Sequence, residues 1–193
     1  MHNIEPHWKW REIYLAENDE LSPFFGRTYS EFEFTERIYN YVIHPQWDYF
    51  GSETLYLKLL YVNYNKHTAI IEFIGEWNDS LGNDIMFLKR DFIDVLIANG
   101  IYKFVLIGEN ILEFFADDND YYEEWHQDIV EENGWIIALN FREHIMEEIQ
   151  QSNLHHYIYF YNEDEDEQFN WRKFKPHHLI NFLEENKTKL LNG

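Results

Sequence analysis

The sequence contains no cysteine, which excludes disulfides, thiolate zinc sites and cysteine nucleophiles while leaving the compartment open. Basic residues are scarce: 15 Lys and Arg stand against 36 Asp and Glu, for a formal net charge of −21. A field of that sign repels phosphate backbones and anionic lipid surfaces, so nucleic acid and membrane are disfavoured as partners. A protein partner of basic character, or bound cations, is favoured. No apolar run approaches the roughly 20 residues a spanning helix needs. The opening residues, Met1-His2-Asn3-Ile4-Glu5-Pro6, lack the basic-then-apolar pattern of a secretory signal, so the expected location is cytoplasmic.

Catalytic signatures are missing too. No serine lies in a G-x-S-x-G context, and Gly108-Glu109-Asn110 has too few glycines for a phosphate loop. No H-E-x-x-H spacing occurs. His155-His156 falls on an expected strand, where neighbours point to opposite faces, so it presents no zinc pair. No cofactor is implied.

The chain does have regular alternation. At 193 residues it is expected to form a single domain with a full core. From Thr68 to Tyr161, short apolar runs alternate with amphipathic ones. Ala69 to Ile74, Lys103 to Ile107, Trp135 to Leu139 and Leu154 to Tyr161 read as strands. Asn83 to Asn99, Asp120 to Asn133 and Phe141 to Gln151 read as helices, with Gly100 and Gly134 as stops. Strands and helices in that order imply βαβ crossovers and a parallel sheet through Ile70, Val105 and Ile137. The first helix is expected to bury Ile85, Leu88, Phe92, Val95 and Leu96 under a cap from Asn83 or Asp84. Asp120 with Glu123, and Asn140 with Glu143, have capping-box spacing.

The flanks read differently. Trp8 to Asn18 suggests a short helix. Tyr29 to Tyr64 is rich in residues that suit strands, and Thr54 to Asn63 reads as a long strand with Tyr56, Leu60 and Val62 on one face. A turn at Asn63-Tyr64-Asn65-Lys66 returns it antiparallel into the next strand. Five adjacent acids, Glu163 to Glu167, read as a solvated turn, Phe169 to Phe174 as an edge strand, and Pro176 as the start of a last helix. The fold class is therefore α/β: a mixed sheet with a parallel βαβ core and an N-terminal antiparallel β extension. The expected division is 1–66 as the β-rich extension, 67–161 as the core, and 162–193 as acidic turn and final helix.

Three stretches carry a likeness to a known module. They are Ala69 to Trp77 with its Gly75-Glu76, Phe104 to Gly108 followed by Ile111 to Asp117, and Gly134 to Leu139. With Ile145 to Leu154 as a terminal helix, residues 68–160 resemble a STAS domain, the module of anti-sigma factor antagonists and sulfate-transporter tails. The resemblance implies a non-enzymatic protein-binding or regulatory module. In that family a phosphorylatable loop reads Asp-Ser-Ser-Gly. The matching place here reads Asp117-Asp118-Asn119-Asp120, with Asp118 where the serine would stand and no hydroxyl present. The implied partner-binding surface is Asp117, Asp118, Asn119, Asp120, Glu123 and Glu124, with His126 beside them. A plain solvated helix start accounts for the same acids.

An alternative reading uses the carboxyl ends of parallel strands, where ligands of α/β proteins bind. Glu76, Asp79, Glu109 and Asn140 would supply oxygen ligands for Mg²⁺ or Ca²⁺ in a divalent-cation-dependent hydrolase, with Glu163 and Asp164 nearby.

Overall fold

A computed structural model describes residues 3–30, 32–161 and 169–190. Its centre is a five-stranded sheet in the order β3 (Leu55–Asn63), β4 (Thr68–Asn78), β5 (Lys103–Phe115), β6 (Trp135–Leu139), β7 (Tyr159–Tyr161). The β3–β4 pair is antiparallel and the other three are parallel. Ile70, Val105 and Ile137 pair across three adjacent strands, in the parallel row the alternation predicts. Strands β1 (Arg37–Ile38) and β2 (Tyr41–Val42) make a separate two-residue hairpin.

The crossovers lie on one face. Between β4 and β5 run α1 (Asp79–Gly82), α2 (Asp84–Phe87), a π-helical turn (Leu88–Ile93) and α3 (Asp94–Ala98). Next come α4 (Asp120–Val130) and α5 (Glu143–Gln151). Ile85, Leu88, Phe92, Trp125, Ile129, Ile145 and Ile149 from these helices pack with Leu57, Ile71, Leu106 and Ile136 of the strands. The opposite face carries Ile70, Val105, Ile107, Ile137 and Leu139. It is covered by Trp10, Trp171 and the Leu179, Ile180 and Leu183 stripe of α6 (Pro176–Leu190). Tyr56 and Ile74, further along that face, lie under Ile38, Ile43 and Trp47 of the N-terminal third.

Several expectations need correction. The first 54 residues hold little strand. Trp8 to Asn18 is a run of turns ending in a 3-10 turn at Ala16–Asn18, and among the described residues β structure before β3 comes to the small hairpin and a single bridge from Asp48 to Leu57. Trp10, Phe24 and Trp47 from that stretch are buried in the clusters on the faces of the sheet, whereas Trp8, Phe25, Phe32, Tyr39 and Tyr41 stay exposed. The boundary near residue 66 also divides one hairpin, since β3 and β4 are paired along their lengths. A β-bulge between Leu59 and Tyr61 breaks the alternation of β3. Tyr56 and Leu60 keep to the face opposite the crossover helices, while Val62, beyond the bulge, joins the cluster under those helices.

The left-handed residue in the β3–β4 turn is His67, not an asparagine. The π-helical turn shifts the buried stripe of the first crossover, so Ile93 is buried and Val95 only half-buried. Asp79 caps that helix: its Oδ1 accepts from Ile85 N at 2.8 Å. Neither capping box forms. Glu123 accepts from Gln127, and α5 starts after Arg142 with Asn140 itself left-handed. Of the stretch read as a last core strand, Leu154–His156 is a 3-10 turn and only Tyr159–Tyr161 is β7. Trp171–Lys173 is a 3-10 turn in place of an edge strand. The acidic turn Glu163 to Glu167 lies outside the described residues.

Gly75 shows why glycine stands inside the longest-buried strand. Its φ is +120°, and a Cβ built there would meet Thr54 O at 2.1 Å. Gly75→Ala combines backbone strain with a clash against fixed main chain, so it is expected to lower stability by about 3 kcal/mol or more. A urea-unfolding midpoint compared with wild type checks this.

Candidate functional site

Strand β5 delivers the chain to the acidic loop at the head of α4. Phe114 is buried, Phe115 is partly exposed, and Asp117, Asp118 and Asp120 are exposed. The loop is shaped by two hydrogen bonds. Asp118 Oδ1 accepts from Asp120 N at 3.3 Å, and Asn119 Nδ2 donates to Ser152 O at 2.9 Å, tying the loop to the end of α5. The charges of Asp118 and then its hydrogen bond raise the carboxyl of Asp120 above the usual range. Glu123 is exposed on the next turn, where it accepts from Gln127.

Glu124 is used differently from its five companions. Arg90 grips it with two hydrogen bonds of 2.5 and 2.7 Å, and Lys89 Nζ lies 3.5 Å away. Lys89 is fully buried and also bonds Asp94 and Asp128, the latter at 2.8 Å. A buried ammonium with three carboxylates therefore fastens α4 to the π-helical turn. Removing one partner from such a group costs far more than an exposed ion pair contributes. Sequence reading passed over Lys89, yet it stands four residues after Ile85 and four before Ile93, inside the buried stripe.

Across from the loop stands α1. Asp79, Ser80, Leu81, Asn83 and Ile85 from this side, with Asp117, Asp118, Asp120 and Tyr121 from the other, line a cleft of about 350 Å³. Leu81 is 90% exposed there. Asp79 forms the cleft's base and is nearly closed off. Its Oδ1 accepts from Trp77 Nε1 at 3.0 Å and from Ile85 N, and its Oδ2 accepts from Tyr122 Oη at 2.6 Å. Burial raises its carboxyl to about 7 despite those three donors.

The four residues of the metal reading fall into separate networks. Asp79 is occupied as described. Glu76 accepts from Tyr39 Oη at 2.7 Å. Glu109 is held by two bonds from Arg172, and Asn140 Nδ2 reaches it at 3.4 Å while also donating to Phe169 O at 2.9 Å. Only Glu109 and Asn140 come together. The reason is strand length: β4 runs on to Asn78 and β5 to Phe115, so Glu76 and Glu109 lie within strands and not at an aligned edge. Glu163 and Asp164 lie outside the described residues. Among the described residues, no three or more His, Asp or Glu side chains are grouped to hold a metal ion.

A second polar network was not anticipated. Glu72 is fully buried in β4. It accepts from His7 N at 2.8 Å, and Arg172 Nη2 lies 3.5 Å from it. Burial raises the Glu72 carboxyl to about 7. Only its position inside the apolar run Ala69 to Ile74 hinted at this.

No family model matches the sequence, and no curated protein matches it. Among solved structures, the chain is similar to the anti-sigma factor antagonist SpoIIAA in its unphosphorylated form, with 16% identity and a TM-score of 0.44 over 56% of this chain and 90% of that one. It is also similar to the Bacillus cell fate determinant SpoIIAA in its phosphorylated form, with 16% identity and a TM-score of 0.40 over 56% of this chain and 94% of that one.

The Asp79 site carries a pH signature. The carboxyl titrates near 3.8 in the unfolded chain and near 7 in the folded one. Between those values the folded state holds more protons, so stability falls as pH rises through the window and levels off above it. Glu72 acts in the same direction, from 4.5 to about 7, whereas His7, lowered from 6.5 to about 4 by burial and then Arg172, acts oppositely below pH 6.5. Asp79→Asn keeps an oxygen for Trp77 and Ile85 and offers an amide to the Tyr122 oxygen. Between pH 5 and pH 8, wild type should lose on the order of 2 kcal/mol relative to Asp79→Asn. Chemical denaturation of both proteins at the two pH values measures the difference.

Proposed function

We propose that this chain is a cytoplasmic, non-enzymatic regulatory module of STAS type that binds a protein partner through the cleft between α1 and the head of α4. The observation that carries the reading is Leu81, 90% exposed beside the exposed carboxylates Asp117, Asp118 and Asp120 across a cleft of about 350 Å³. An apolar side chain ringed by acids suits an apolar residue flanked by Lys or Arg, and the net charge of −21 favours a basic partner at long range. Asp117, Asp118, Asn119, Asp120 and Glu123 form the contact surface. Glu124 serves it indirectly by holding α4 against Lys89 and Arg90.

Asp117 to Asp120 contains no hydroxyl, so serine phosphorylation does not switch this loop. Support for a protein partner over a lipid one comes from the same acidic charge, and no described helix is long and apolar enough to cross a membrane. The hydrolase reading has no convergent ligand set behind it, because Glu76, Asp79 and Glu109 are each engaged elsewhere.

The test is capture of partners from native lysate on immobilised wild type and on Leu81→Lys/Asp118→Lys, with circular dichroism to verify that the variant is folded. A partner retained by wild type and weakened at least about tenfold by the variant, roughly 1.4 kcal/mol, supports the reading. A partner captured equally by both places the binding surface elsewhere.

A further inference from the structure

A second groove, of about 400 Å³, adjoins the partner cleft, and its walls include Tyr39, Gly51, Glu53, Thr54 and Phe87. Leu81 belongs to both hollows, so a segment laid over that leucine reaches both. Among the described residues, no Lys or Arg lines either one. Phe87 packs directly on the main chain of Gly51, where a Cβ would come within 2.7 Å of the ring. Tyr39 stands in the turn between β1 and β2, 62% exposed, and its hydroxyl donates to Glu76 at 2.7 Å. Its φ is +52°, in the left-handed region that a bulky side chain rarely adopts and that Asn or Gly occupies at lower cost. The fold gains little from an exposed ring held at such a cost, and backbone strain of this kind gathers at functional surfaces.

We propose that Tyr39, Phe87 and Glu53 form a second contact site of the partner surface, which receives a Lys or Arg side chain from the segment of the partner that crosses Leu81. This second site depends on the Leu81 cleft being a docking surface, and it extends that surface into the N-terminal third. Sign and shape select the occupant. Two aromatic rings, with Glu53 on the wall and Glu76 bonded to the phenol, attract a cation that lies over a ring while its charge faces an acid. Asp117, Asp118 and Asp120 offer the same sign in the adjoining cleft. An extended segment with an apolar residue between two cationic ones thus matches the whole surface, whereas one cationic residue matches half of it. A second copy of this chain, with its net charge of −21, is repelled by the same carboxylates.

Tyr39 and Glu53 precede β3, so the N-terminal third does more than cover a sheet face. It supplies one wall of the surface and distinguishes partners with two cationic positions from those with one.

The test is an NMR titration of the full chain at low ionic strength. One probe is a synthetic peptide with arginine at both ends, leucine at its centre and alanine between; the other is the same peptide with one arginine replaced by alanine. The expected result is that the two-arginine peptide shifts the amides of Tyr39, Glu53 and Phe87 together with those of Asp117 to Asp120. It binds at least about threefold tighter than the one-arginine peptide. Tyr39→Asn, which places a residue suited to the left-handed turn, removes that difference without lowering the melting temperature, whereas loss of a purely structural tyrosine would do the reverse. Shifts confined to Asp117 to Asp120, with equal affinity for both peptides, overturn the second site and leave the cleft reading standing. No shift at either place overturns both. Shifts at Tyr39 that grow with protein concentration in the absence of peptide also overturn the second site, since the occupant would then be a second copy. The wild-type titrations decide the matter even if Tyr39→Asn does not fold.

Discussion

The structure depends on one buried carboxylate. Glu72 sits in the middle of β4 with no exposed surface, and its partners come from both ends of the described chain: the His7 amide and the Arg172 guanidinium. An isolated buried carboxylate would be too costly to keep, so the two segments that satisfy it must be in place for the sheet to close. Arg172 also holds Glu109 in β5, and Trp10 Nε1 bonds Phe174 O, so the N-terminal turn and the segment before α6 meet over the sheet. The outcome is a sheet covered on both faces, by crossover helices on one and terminal segments on the other.

The surface follows from that closure. With the second face occupied by the flanks, the long strands β4 and β5 project their ends to the other side, carrying α1 and the acidic loop. Each is anchored by a buried ionisable group. Asp79 fastens α1 to Trp77, Ile85 and Tyr122, and Lys89 fastens α4 to the π-helical turn. Rigid supports under exposed acids and an exposed leucine are what a docking surface needs, because little ordering entropy remains to be lost on binding.

Much of this was legible in the sequence. The βαβ order and the row Ile70, Val105, Ile137 follow from apolar periodicity, and Gly100 marks a left-handed helix stop as its type suggests. Tyr122, Trp125 and Ile129 are buried at the spacing of a helical stripe. What escaped was set by distant contacts. The bulge in β3 depends on its partner strand, and the irregular first third on a sheet face elsewhere in the chain. The site was legible as a cluster of acids but not as a cleft. Leu81, Tyr122 and Arg90 carry no local signal of meeting residues far along the chain, as the Arg90–Glu124 and Tyr122–Asp79 bonds do across 34 and 43 positions.

The central claim is that the terminal segments are structural members of the fold, locked through Glu72. Amide hydrogen exchange at His7 tests it most directly, since that N–H is the donor to the buried carboxylate. The account predicts that His7 exchanges as slowly as the amides of β4 and speeds up in Glu72→Gln. Exchange at the rate of an exposed loop in the wild-type protein would contradict it.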